Sequence, residues 1–183
     1  MAYEAIINGA RGLTYFGGSL PQTLSERDKP LGFNWTYFDR VMRPLFDELG
    51  PRSPILPALL APNCSIKLKV VAEAPPKRAV ANKEEEQRPP GASPRTFVQD
   101  KVSADASTIE CLVREAGDAI YVLACKKEGP TIRVRFSGLP EGIHGAGAGV
   151  VVFEEPRKVD AEHGSFADWF GPFEVHVYQF RKK

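Results

Sequence analysis

The sequence has no long apolar run, little cysteine and almost no net charge, and each shortage excludes something. Nothing in it approaches the roughly 18 consecutive apolar residues of a membrane-crossing helix. Its net charge of +1 supplies no basic field for a nucleic acid or an anionic membrane surface. Three cysteines, Cys64, Cys111 and Cys125, are too few and too scattered for a disulfide framework or a zinc site, and read as half-buried strand residues. The opening Met1-Ala2-Tyr3-Glu4 lacks the positive start and apolar core of a signal peptide, which leaves the location of any longer parent open, secretion included. No Gly-x-Ser-x-Gly nucleophile turn occurs. His144, His163 and His176 have no metal-ligand spacing, so neither metal nor cofactor is expected.

What is present is ordinary globular composition, 43% hydrophobic and 26% charged, in 183 residues rich in proline and glycine. The first stretch to read is Ala2 to Leu49. Tyr3, Ile6, Ile7 and Ala10 share a helical face, and Gly9 is placed to stop that helix. Leu13-Thr14-Tyr15-Phe16 is a short apolar run of the kind buried in parallel sheets, and Gly17-Gly18 lets the chain turn sharply after it. A polar loop follows. Asn34 then caps a helix whose stripe is Trp35, Phe38, Met42, Leu45 and Leu49. Pro44 inside it predicts a bend or a restart. The stretch reads as one α-β-α unit, and one strand makes no sheet.

Proline-rich residues 51–62 read as a connector. From residue 63 the pattern is β. Ile66, Leu68 and Val70 alternate with lysines, and Ile132, Val134 and Phe136 alternate with Thr131, Arg133 and Arg135. Further strands are expected at Ile109–Val113, Ile120–Ala124, Gly149–Glu155 and Phe173–Phe180. Six or so strands with close turns describe an antiparallel β-sandwich. Residues 73–105, with their prolines and the run Lys83-Glu84-Glu85-Glu86, read as a mobile insertion. The fold class expected is therefore α+β: the last α-β-α unit of a (β/α)8 barrel (1–50), then a β-sandwich (63–183).

The chemistry-bearing motifs are sparse. Gly145-Ala146-Gly147-Ala148-Gly149 is followed by a strand rather than a helix, so it reads as a flexible turn and not as a phosphate cradle. Asp168-Trp169-Phe170-Gly171-Pro172-Phe173 is the densest aromatic cluster; it reads as a plug for the sandwich, with a sugar-stacking platform as the alternative. Trp35 reads as core before sugar wall. Glycoside hydrolysis generally needs two carboxylates about 5–10 Å apart. Glu4, Glu26 and Asp28 make no such pair, so no catalytic residue is assigned.

Met1 through Ile6 and Gly9-Ala10-Arg11-Gly12-Leu13-Thr14-Tyr15-Phe16-Gly17-Gly18 resemble the end of a glycoside-hydrolase (β/α)8 barrel, where a Gly-Ala-x-Gly turn enters strand eight. Gly32-Phe33-Asn34-Trp35 and the helix after it resemble helix eight. Trp169–Phe173 and Val175–Phe180 resemble the last strand of the β-sandwich that trails many of these enzymes. The resemblance implies a C-terminal fragment of a carbohydrate-active hydrolase, inactive alone because its carboxylates lie upstream of Met1. Its implied partners are a carbohydrate and the missing N-terminal portion of the barrel. It implies sugar contact at the strand-eight exit, Tyr15, Phe16, Gly17 and Gly18; Trp35 and Trp169 join them as substrate-binding candidates by their ring faces alone. The alternative is a free-standing, non-catalytic carbohydrate-binding or protein-interaction module.

Overall fold

The computed structural model describes residues 1–15, 38–73, 106–154 and 157–182. Eight strands form one antiparallel sheet: β1 (Lys69–Glu73), β2 (Ile109–Ala116), β3 (Ala119–Lys126), β4 (Ile132–Ser137), β5 (Gly145–Val152), β6 (Lys158–Glu162), β7 (Ser165–Phe170) and β8 (Val175–Arg181). Their order is β1-β4-β7-β6-β5-β8-β3-β2, so the last strand lies in the middle, between β5 and β3. The sheet rolls into a nearly closed barrel. One cluster fills its inside with residues from all eight strands, among them Phe136, Phe166, Phe170, Tyr178 and Phe180, each with 1% exposure or less. Phe136 stacks on Phe166 at 4.8 Å between ring centroids. Fully burying a large apolar side chain is worth about 1.5–3 kcal/mol, so these rings dominate barrel stability.

The two free edges, β1 and β2, meet near a seam. Residues just before β1 run along β2: the Cys64 thiol donates to the Val113 carbonyl at 3.2 Å, and the buried Arg114 guanidinium donates to the Asn63 side chain. Covering an edge in this way removes a template for aggregation. Gly149 sits where a Cβ would collide with the Phe180 ring and Val159, and the β5–β6 register shifts between Gly145 and Gly149. A missing side chain and a bulge at one place let the wall bend inward.

Among the described residues three α-helices lie outside the barrel: α1 (Ala2–Ile7), α2 (Arg43–Leu49), which continues from a π-helical turn at Phe38–Met42, and α3 (Leu56–Leu60). Pro44 lies in the first turn of α2, where its missing N–H is harmless, so the helix restarts there. Gly9 takes φ 99° just after α1. Tyr3, Ile55 and Ala58 pack on the outward residues Ala119, Tyr121 and Leu123 of β3, Val152 of β5 and Val177 of β8. Every residue of β3 is buried, one face by the barrel core and the other by the helices. The Tyr3 hydroxyl donates to Glu48 at 2.7 Å, joining α1 to α2.

This architecture corrects the expected fold class: an α-β-α barrel unit plus a sandwich is not what forms. Residues 12–15 have no regular structure; Leu13 is half-buried, and Thr14 and Tyr15 are exposed rather than buried in a parallel strand. The apolar faces of α1 and α2 are satisfied by an antiparallel wall, not by barrel strands of their own. The β region is one rolled sheet and not two packed ones, because β6 and β7 continue it. The glycine-rich 145–149 stretch is the first half of β5 rather than a flexible turn. Pairing at the first predicted strand begins at Lys69, although Ile66 and Leu68 do pack on the core. Residues 74–105 of the predicted insertion lie outside the described residues.

Candidate functional site

One end of the barrel carries a polar cluster in an otherwise apolar interior. Alternation along β7 turns Phe166, Asp168 and Phe170 inward, and alternation along β8 turns His176, Tyr178 and Phe180 inward. A buried carboxylate is costly unless it is fully hydrogen-bonded, and Asp168 is. It accepts from the Tyr178 hydroxyl at 2.7 Å and from the Trp169 backbone N–H at 2.8 Å. The Arg157 guanidinium also donates to it. His176 Nδ1 lies 3.2 Å from the same carboxylate oxygen and 3.0 Å from the Tyr178 hydroxyl. Burial pushes the Asp168 carboxyl up, but the hydrogen bonds from His176, Tyr178 and Trp169, with the Arg157 charge, outweigh it and hold it down at about 2. Burial first, and then the Asp168 charge, push the Tyr178 hydroxyl well above its ordinary range.

The proton arrangement follows. Tyr178 has one O–H, which it directs at Asp168, so both its oxygen and the carboxylate face His176 Nδ1 as acceptors. The imidazole is stacked on Phe170 at 4.4 Å between ring centroids. Its other nitrogen, Nε2, faces a pocket of about 430 Å³ lined by Glu154, Arg157, Trp169, Glu174, Val175 and His176. Nε2 lies 3.6 Å from Glu154 and 3.5 Å from Glu174.

Two turns deliver those carboxylates. In the turn after β5, Phe153 takes φ 75° and Glu154 follows it; in the turn before β8, Phe173 takes φ 62° and Glu174 follows it. The same Phe-Glu pair thus occurs twice, each Phe left-handed and exposed. Arg157 holds Glu154 at 2.5 Å, and the Gly171 N–H donates to Glu174 at 2.7 Å. Pairing between β6 and β7 is limited to Ala161–Phe166 and Glu162–Ser165, and Arg157 reaches Asp168 where the two strands part.

Of the residues predicted to contact a ligand, Trp169 lies at this pocket, 49% exposed on the outer side of β7. The plug role expected of its cluster falls to Phe166 and Phe170, while Trp169 and Phe173 stay outside. Tyr15 is elsewhere: its ring meets Phe46 of α2 edge-on at 5.7 Å. Phe16, Gly17, Gly18 and Trp35 lie outside the described residues. The sequence reading passed over Glu154, Arg157, Glu174 and Tyr178 and set His176 aside. A signal was there: Phe-x-Asp-x-Phe and His-x-Tyr-x-Phe each place a polar group on an aromatic strand face.

A broader groove of about 810 Å³ runs along β4, β6 and β7. Of its three arginines, Arg133 and Arg135 pair with Glu73 and Arg157 with Glu154 and Asp168, which leaves it mixed in charge. Among the described residues no cluster has the ligand set for a metal ion. No family model, curated protein or solved structure matches this chain.

Proposed function

We propose that this chain is a non-catalytic carbohydrate-binding module. The observation that carries the reading is the half-exposed indole of Trp169 beside a pocket edged by two carboxylates, a guanidinium and an imidazole. An indole face covers the C–H face of a pyranose, and planar charged groups at its rim accept and donate to hydroxyls. Pockets of this kind, an apolar wall with few oriented polar groups, are the usual form of small-ligand sites. The barrel interior is filled by side chains, which directs a ligand to the barrel end. Glu154 and Glu174 each hold a turn through hydrogen bonds, a role that suits acceptors in a binding site.

The test is electrophoresis through gels holding neutral, amino or acidic polysaccharides. Retardation is expected in at least one gel, and it is lost in Trp169→Ala without a change in melting temperature, because the ring is half-exposed. Free migration in every gel, or retardation that survives Trp169→Ala, overturns the reading.

A further inference from the structure

We infer that Asn8-Gly9 is a self-modification site, and that deamidation of Asn8 releases α1 from the barrel wall. It is the one Asn-Gly pair in the sequence, and both residues are exposed at the end of α1. The chemistry needs only water. The Gly9 backbone nitrogen gives up its proton and attacks Asn8 Cγ. A C–N bond forms, the Cγ–Nδ2 bond breaks, and ammonia leaves after taking up, by way of water, the proton that Gly9 lost. Water then opens the cyclic imide, at Cγ to give aspartate or at the Asn8 backbone carbonyl carbon to give isoaspartate. Glycine favours the attack because no Cβ blocks the approach of its nitrogen, and the space around Gly9 is open. In the docked helix the Gly9 N–H donates to the Ile6 carbonyl at 3.0 Å, so the step waits for the last turn to unwind. A helix of six residues holds only through its contacts, and local opening of its end frees the nitrogen.

The amide that is lost is a clasp. Asn8 Nδ2 donates to the Glu110 carboxylate of β2 at 2.6 Å and to the Glu4 carbonyl at 3.0 Å. Either product puts an acceptor-only carboxylate where that donor stood, facing Glu110. The cation at hand is already shared: Lys127 lies 2.5 Å from Glu110 and 3.7 Å from Glu4. A third carboxylate therefore adds repulsion as a charge-assisted hydrogen bond disappears, and both oppose docking. What α1 covers is apolar. Tyr3 packs on the outward row Ala119, Tyr121 and Leu123 of β3. By strand alternation Cys125 continues that row, 4% exposed, with the Glu4 charge close enough to act on its thiol. Burial pushes this thiol up to about 11, which keeps it unreactive while α1 is docked. Release of the helix uncovers it.

Ageing of the full chain at neutral and mildly alkaline pH, followed by peptide mass spectrometry and timed alkylation of the cysteines, tests the inference. Conversion at Asn8 is expected to run ahead of conversion at Asn63, and to quicken as pH rises because the Gly9 nitrogen must lose its proton. In the converted fraction, and in Asn8→Asp as made, Cys125 should alkylate at least about tenfold faster than in the fresh chain. Cys64 and Cys111, which pack on the barrel core, should keep their rates. Asn8→Gln keeps an amide but closes the larger ring far more slowly, so its Cys125 rate should hold through the same ageing. Asn8 left intact after ageing, or converted with no change at Cys125, overturns the inference. Equal acceleration of all three cysteines overturns it as general unfolding. An Asn8→Gln chain whose Cys125 rate climbs as in the unaltered chain overturns it too.

Discussion

The Tyr178 hydroxyl donates to Asp168 at 2.7 Å from one barrel strand to another, inside a core otherwise built from phenylalanine and aliphatic side chains. This bond joins two roles. It satisfies a buried carboxylate, and through the shared contact with Nδ1 it fixes which nitrogen of His176 faces the pocket.

Acid should weaken the fold through Asp168. Its carboxyl is held at about 2 in the folded chain, below the ordinary range near 4. The unfolded chain binds the proton more readily, so the contribution is complete above about pH 4 and lost as pH falls toward about 2. Urea unfolding across that interval should show a loss of up to about 2 kcal/mol from this group. Asp168→Asn should flatten the acid limb. Tyr178→Phe should cost about 1–3 kcal/mol at neutral pH by leaving the carboxylate one donor short.

The β6–β7 hairpin should tolerate no side chain at its second turn position. His163 and Gly164 take φ 46° and 69°, the left-handed pair of a tight two-residue turn. A Cβ on Gly164 would drive into the Leu139 carbonyl, which also accepts no compensating movement from a flexible side chain. Gly164→Ala should cost at least about 1–3 kcal/mol in chemical denaturation. A smaller loss would mean that the 138–143 loop can shift away.

Phe173→Gly should stabilise the chain and weaken ligand binding together. Phe173 is 76% exposed at φ 62°, so it contributes little burial and holds a conformation that a bulky residue adopts at a cost of order 1 kcal/mol. Glycine takes that conformation freely. A rise in melting temperature with looser binding to the preferred polysaccharide would show that the strain is kept to aim Glu174. A fall in melting temperature would show that the Phe173 ring has a packing role.

The barrel was legible where period two was clean. Ile132-x-Val134-x-Phe136 alternates buried and exposed as read, and the Gly117-Asp118 turn joins β2 to β3 in register. It was not legible where a strand's residues look like a loop's. Lys158–Glu162 and Ser165–Phe170 are short, carry charge and flank a His163-Gly164 turn, so the hairpin reads as a connection. Leu13–Tyr15 failed in the other direction: a short apolar run carries no information on whether a partner strand exists. Of the helical stripe Trp35, Phe38, Met42, Leu45 and Leu49, Leu45 and Leu49 pack on the outer cluster and Trp35 lies outside the described residues; a stripe does not say which surface it meets. The site was half legible. Trp169 stood out as an exposed aromatic candidate, whereas its polar partners come from two turns 20 residues apart in sequence, Glu154 and Glu174, and only the fold brings them together.

The position of β8 sets the order of events during synthesis. Residues 175–181 slot between β5 and β3, so on the ribosome the nascent wall stays split into two pieces, the β2–β3 hairpin and the β1-β4-β7-β6-β5 ribbon. The outer helices, made first, have only part of their docking surface until Val177 arrives. A premature stop codon ahead of Val175 therefore yields two half-walls with open edges.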